Sequence, residues 1–322
     1  MSIRGSPIPP SFLHTTRIAP HPPLSQPASI PSAAPAPPTR APLWRTLLVL
    51  GRVSNLPTVW SNCMAAWILG GGGNNLLLRL CLGASLLYIG GMFLNDACDV
   101  WFDVRHRRER PIPAGHIDVR TVWALGIALL GGGFVLLATM NRTTAVLALF
   151  LVTCIVLYDY FHKDLEHAPV LMAGCRFFLF LAAASAGGEG VTGLAVWSAV
   201  ALFCYIVGLS YIARKESVPG LVRYWPCLLL LIPVALAFLV NAGESRSGAL
   251  ILMAILTLWI LRSIRTTFWS TPRQIGRTVS SLLAGIVLVD LLAVAHVPRE
   301  TGLIFIACFV AALIAQRFIP AT

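Results

Sequence analysis

Apolar runs long enough to cross a bilayer recur along this chain, at about residues 43–69, 76–102, 121–140, 143–160, 169–187, 194–213, 221–240, 247–264, 278–296 and 302–319. An α-helix needs roughly 20 such residues to span about 30 Å of hydrocarbon. Inside lipid every backbone polar group must be satisfied within the protein, which leaves helices or a closed barrel, and the runs lack the period-two alternation of barrel strands. The expected fold is therefore all-α, a polytopic membrane helix bundle. Nine or ten helices are expected, because Arg262, Arg265, Pro272 and Arg273 soften the last boundaries. With 57% hydrophobic and 11% charged residues, an ordinary soluble domain is excluded.

The net charge of +11 comes from 24 basic and 13 acidic residues. In a soluble protein that balance suggests nucleic acid; here it reads as topology, and the bilayer is the expected partner. After the second, fourth, sixth and eighth runs lie 13 basic residues: Arg105, Arg107, Arg108, Arg110, Arg120, Lys163, Arg214, Lys215, Arg223, Arg262, Arg265, Arg273 and Arg277. The opposite loops hold four, Arg79, Arg142, Arg246 and Arg299. By the positive-inside rule the basic side is cytoplasmic, and a bacterial inner membrane is the expected location.

Residues 1–42 hold 12 of the 22 prolines, three Arg and no acid, so this stretch cannot bury a core and is expected to be a disordered tail. Its prolines oppose the amphipathic helix of an organelle transit peptide; a low-complexity bacterial tail or an over-long gene start is expected instead. Residues 43–322 are expected to form one integral membrane domain. The eight cysteines show no paired or metal-ligand spacing and are expected to pack as small apolar side chains.

Against this background the stretch Asn95-Asp-Ala-Cys-Asp-Val-Trp-Phe-Asp103 is anomalous, since three acids and an amide close an apolar run. At about 100° per residue, Asn95, Asp96, Asp99 and Asp103 share one helix face about 100° wide and two turns long. That length suits divalent cations and a diphosphate. Directly after it, Arg105, His106, Arg107, Arg108 and Arg110 place five cationic or potentially cationic side chains in six positions. Carboxylates can hold Mg²⁺ through oxygen, and arginines beside them can clamp phosphate; a topology anchor is the plainer reading of the arginines alone.

The combination NDxxDxxxD followed by RxxRPIPAG resembles the first aspartate-rich motif of the UbiA superfamily of intramembrane prenyltransferases. Also similar to family segments are Arg52-Val-Ser-Asn-Leu-Pro-Thr-Val-Trp-Ser-Asn62, Tyr158-Asp-Tyr-Phe-His-Lys163 and Pro169-Val-Leu-Met-Ala-Gly-Cys-Arg176. The resemblance covers about residues 45–217; beyond them only apolar helices match. It implies a nine-helix bundle around a central cavity that binds an isoprenyl diphosphate through Mg²⁺ and transfers the prenyl group to an aromatic or other lipid-soluble acceptor.

The implied roles follow residue by residue. Asp96, Asp99 and Asp103 are the catalytic metal ligands, and Glu216 is a further ligand. Asn95, Arg52, Arg105, Lys163, Arg214 and Lys215 bind diphosphate, while Asn62, Tyr158 and Tyr211 face the acceptor or the cavity. Some residues keep two readings. Arg52 either contacts substrate or snorkels, Lys163 is either a phosphate cation or an anchor, and Asp159 pairs with Lys163 or Arg176 or touches substrate. Arg176, inside an apolar helix, needs a partner or a function. Asp290 has no role from the resemblance and reads as a helix-packing hydrogen bond.

One segment departs from the family. Where a second acid cluster is normal, the chain reads Tyr205-Ile-Val-Gly-Leu-Ser-Tyr-Ile-Ala-Arg-Lys-Glu216, with Gly208 at the aligned first acid and only Glu216 acidic. This simplified motif resembles the EboC-like branch more than the quinone-pathway enzymes. Arg214 and Lys215 then replace one metal by direct contact with diphosphate, or the protein has become a non-catalytic binder or carrier of an isoprenoid-type lipid. A phosphatidyl-alcohol transferase is disfavoured, because its DGxxAR segment is missing.

Overall fold

The computed structural model describes residues 42–73, 75–162, 165–217, 224–241, 246–270 and 273–320, with residues 215–217 described by backbone alone. All ten apolar runs form helices. The first divides into α1 (Leu43–Leu50) and α2 (Leu56–Leu69), and the second into α3 (Leu77–Cys98) and α4 (Val100–His106). There follow α5 (Val119–Ala138), α6 (Arg142–Phe161), α7 (Ala168–Ser185) and α8 (Gly193–Ser217). The chain continues through α9 (Trp225–Leu230), α10 (Ile232–Val240), α11 (Arg246–Phe268), α12 (Ile275–Ala293) and α13 (Arg299–Phe318). Eight of these helices are individually long and apolar enough to span a membrane. The protein is an integral, multi-pass, all-α membrane protein. The tail 1–41 lies outside the described residues.

Besides the joint between α3 and α4, two runs, the first and the seventh, are broken where sequence periodicity suggests continuity. In the first, Arg52 adopts left-handed backbone angles, φ 42° and ψ 46°, and a 3₁₀ turn over Val53–Asn55 leads into α2. It is the one non-glycine residue with positive φ among those described, a conformation that costs free energy unless tertiary contacts hold it. Pro57 then sits in the first turn of α2, where a missing N–H does no harm. In the seventh run, Pro233 cannot donate back into α9, and the helix restarts at Ile232.

Helices α7 and α12 are the most enclosed spans, each 67% buried, whereas α13 is 11% buried and lies at the periphery. Tyr205 of α8 is fully buried and donates its hydroxyl to the Leu282 carbonyl of α12 at 2.8 Å. Helix α3, which ends in the acids, is held against α5 by close backbone approach. A Cβ on Gly90 would come within 2.7 Å of Leu130 N, and one on Gly133 within 2.8 Å of Gly83 O. Small residues seven apart on both helices permit this contact, and dispersion between the backbones replaces the hydrophobic force that lipid cannot supply.

Candidate functional site

Helix α3 runs into α4 with only a joint at Asp99, across which Asp99 N donates to Asn95 O and Asp103 N to Asp99 O. The expected common face therefore survives. Asn95, Asp96, Asp99 and Asp103 are all buried, between 2% and 8% exposed. Buried carboxylates demand partners, and most of those partners come from other segments. Arg52 Nη2 lies 3.3 Å from Asp96 Oδ1, so the left-handed turn of the first run serves to aim this guanidinium at the acids. Arg110 Nη1 bridges two of them, 3.1 Å from Asp96 Oδ1 and 3.0 Å from Asp103 Oδ2. His162 Nε2, just beyond α6, is 3.3 Å from Asp99 Oδ1.

Arg110 reaches the acids because the loop after α4 folds back. His116 N donates to Pro111 O, Gly115 takes φ 74°, and Ile112 and Ile117 pack with Leu50, Phe93 and Ala97 in a small separate core. Arg105, by contrast, is exposed on α4. The structure does not bring Arg105 to the acids and brings Arg110 instead. A helix continued past Asp103 points Arg105 elsewhere, and only the turn at Pro-Ile-Pro-Ala-Gly returns the chain. Burial pushes the Asp103 carboxyl above its ordinary pKa against the pull of the Arg110 guanidinium, and Asp99 adds to the push.

Asp159 belongs to the same cluster: Asn95 Nδ2 donates to its Oδ1 at 3.3 Å. Arg176 is not its partner; that guanidinium is engaged by Thr58 and Asn62. Tyr158 stacks on His162 with ring centroids 5.2 Å apart. Near Arg52, Tyr88 accepts from Asn55 Nδ2 at 3.1 Å and lies under the Arg176 guanidinium at 5.9 Å. From the cationic segment the sequence reading chose Arg105 over Arg110 as the diphosphate contact, and it missed His162 and Tyr88 as members of this region. Position three beyond Asp159 at a helix end was a signal for His162; none existed for Tyr88.

Asn62 is not at the acids. It is fully buried in a separate network, donating to Asp290 Oδ1 and Oδ2 at 2.7 and 2.8 Å and accepting from Arg176 Nη1 at 2.6 Å. Ser61 also donates to Asp290, and Arg176 Nη2 donates to Thr58 Oγ1 at 2.9 Å. Thus Arg176 and Asp290 are bridged through Asn62, and the hydrogen-bond reading of Asp290 describes its setting. Tyr211 contacts His167 and Trp225, and Arg214 Nη1 donates to the Leu165 and Glu166 carbonyls at 3.0 and 2.6 Å. Arg214 therefore holds the loop before α7, not the acids. Lys163 and the side chains of Lys215 and Glu216 lie outside the described residues. None of the eight cysteines forms a disulfide.

Chemically, the site concentrates oxygen donors and cations at one end of the bundle. Among the described residues no three His, Cys, Asp or Glu are grouped as a closed metal cage. Magnesium does not require one, since it keeps waters and is commonly held by one or two carboxylates together with substrate phosphates. The all-oxygen set of Asp96, Asp99 and Asp103 fits a hard cation of that kind.

A membrane bundle whose second span ends in buried acids facing arginines defines a class, and the sequence comparison agrees. Residues 54–285 match the UbiA prenyltransferase family, to which the chain belongs. It is similar to the 4-hydroxybenzoate octaprenyltransferase of Edwardsiella ictaluri (strain 93-146), with 32% identity over 129 residues, 39% of this chain and 45% of that one. The protein of the same name from Paracidovorax citrulli (strain AAC00-1) is 30% identical over 179 residues, 54% of this chain and 60% of the relative. The chain thus spans about half the length of the curated relatives it matches. In fold it is similar to a UbiA homolog from Aeropyrum pernix K1, with a TM-score of 0.61 and 15% identity over 76% of this chain and 97% of that one.

Proposed function

We propose that the protein transfers a prenyl group from an isoprenyl diphosphate to an aromatic or other lipid-soluble acceptor within the membrane. The observation that carries this reading is the convergence of Arg52 and Arg110 on Asp96, with Asp103 on the same arginine and His162 on Asp99. Two arginines already poised over carboxylates can turn to a diphosphate while the carboxylates take a cation. Relatives named as octaprenyltransferases of 4-hydroxybenzoate support a polyprenyl donor and an aromatic acceptor.

In the proposed reaction the allylic C–O bond of the donor breaks and its electron pair leaves on the diphosphate. The acceptor forms the new bond to the allylic carbon and loses a proton. Asp96, Asp99 and Asp103 would hold Mg²⁺, with Glu216 as a further ligand, and the ion when bound would offset the charge of the departing diphosphate. Arg52, Arg110 and Asn95 would bind the diphosphate, joined by Lys163 and Lys215. Fixed cations aimed at a charge that grows during reaction lower the barrier without reorganising.

Placing Arg110 in this role and Arg105 outside it gives the test. Arg110→Ala should weaken binding of geranyl diphosphate by roughly tenfold or more, as expected for a lost charge-assisted hydrogen bond, while Arg105→Ala should leave it within about twofold. Calorimetry on the purified protein in nanodiscs reads both. Equal losses would contradict the assignment.

The acids are proposed to face the cytoplasm of a bacterial cell, on the 13-to-4 distribution of basic residues. In a cysteine-free background, Glu189→Cys should react with an impermeant thiol reagent in intact cells, and Glu109→Cys only after permeabilisation. The reverse pattern would invert the orientation.

A further inference from the structure

Arg52 is aimed at the acids by a backbone conformation that an L-residue resists. Its angles are left-handed, φ 42° and ψ 46°, and a residue in that region persists only where the surrounding structure holds it. The contact with Asp96 at 3.3 Å holds it from one side. In the proposed reaction, however, the guanidinium turns to a diphosphate and the carboxylate to a cation, so that contact is given up when the aim matters most. Support that outlasts it has to come from the other side of the turn.

That side carries a closed ring of four residues. Asn55, the last residue of the 3₁₀ turn, donates its backbone N–H to Arg52 O at 3.0 Å and its Nδ2 to Tyr88 Oη at 3.1 Å. The Tyr88 ring lies under the Arg176 guanidinium, 5.9 Å from guanidinium carbon to ring centroid, within reach of a cation–π contact. Arg176 Nη2 donates to Thr58 Oγ1 at 2.9 Å, and Thr58 Oγ1 donates to Asn55 O at 2.7 Å, which closes the ring. Asn55 and Thr58 are 3% and 0% exposed, so a bond lost here leaves a buried polar group unpaired. Tyr88 precedes Asn95 by two turns on the same face of α3, on the order of 10 Å along the axis. The helix that presents the acids therefore also carries the post on which the turn of Arg52 rests.

We propose that Tyr88 and Arg176 are positioning residues for Arg52, fixing through Asn55 and Thr58 the turn that aims its guanidinium at the diphosphate. They need no contact with substrate to do so. That the guanidinium meets a diphosphate rests on the proposed prenyl transfer; the ring and the turn it supports do not.

The test uses Tyr88→Phe in the full-length protein in nanodiscs, because this change keeps the aromatic ring under Arg176 and removes only the acceptor of Asn55 Nδ2. Affinity for geranyl diphosphate, read by calorimetry, should fall about tenfold, and hydrogen exchange in the peptide spanning residues 49–56 should quicken about tenfold, the scale of one lost buried hydrogen bond. In an Arg52→Ala background the same change should move affinity by less than about twofold, since no guanidinium is left to aim and the two losses are then not additive. Thr58→Val cuts the ring on its other side and should show the same dependence on Arg52. Equal losses in both backgrounds, as a merely structural role requires, would overturn the proposal and leave Arg52 as a diphosphate contact. Unchanged affinity or unchanged exchange in Tyr88→Phe would overturn it likewise. Arg52→Ala without effect on affinity would instead overturn the diphosphate reading of Arg52, and the positioning role with it.

Discussion

Asp96→Ala should lose more than ~100-fold in prenyl transfer, comparable to removing one charge-stabilising group from other active sites, while the protein stays folded in the membrane. Asp96 is the acid on which Arg52 and Arg110 both converge, so its loss removes a metal ligand and releases both guanidinium groups together. The fold should tolerate this, because α3 is held by its glycine contacts with α5 and the carboxylate lies at the end of the span. Initial rates, paired with a size-exclusion profile and a thermal melt, separate the two effects. Turnover within tenfold of wild type would remove Asp96 from the chemistry.

The second large effect is on stability. Asp290 of α12, Asn62 of α2 and Arg176 of α7 tie three central helices through one buried relay. Asp290→Ala would leave the Arg176 guanidinium with neutral partners only, and breaking a buried pair in this way costs about 3–5 kcal/mol. Arg176→Met should cost a similar amount. Removing both, as Asp290→Leu with Arg176→Met, should cost well below the sum, because no uncompensated charge remains. Reversible denaturant titration in mixed micelles gives the three values. Additive losses would mean that the two charges do not communicate through Asn62.

The helices were legible because lipid imposes one rule on every spanning segment, and each apolar run became helical. The acid face was legible for a related reason: the hydrogen-bond register runs from Asn95 through Asp99 to Asp103, so the 100° arithmetic holds across the joint. Features set by the tertiary path were not legible. The break at Arg52 depends on a left-handed residue held by contact with Asp96, which apolar periodicity cannot encode. Arg105 lies nearer in sequence to Asp103 than Arg110 does, yet the return of the loop at Pro111–Gly115 selects Arg110. Asn62, Arg176 and Asp290 each stand out as polar residues in apolar helices, but their common relay joins positions more than 100 residues apart. Helical spacing alone puts Cys98 off the acid face; that it lines a cavity between α3, α5 and α6 required those helices in place.

The most direct test of the central claim is product formation by the purified protein in nanodiscs with radiolabelled prenyl diphosphates of several chain lengths and a bacterial lipid extract, with Mg²⁺ or with EDTA. The account predicts a labelled lipid product in Mg²⁺, none in EDTA and none from Asp96→Ala. Donor that binds equally well in EDTA, with no product at any chain length, would contradict it and would leave the protein as a non-catalytic isoprenoid binder.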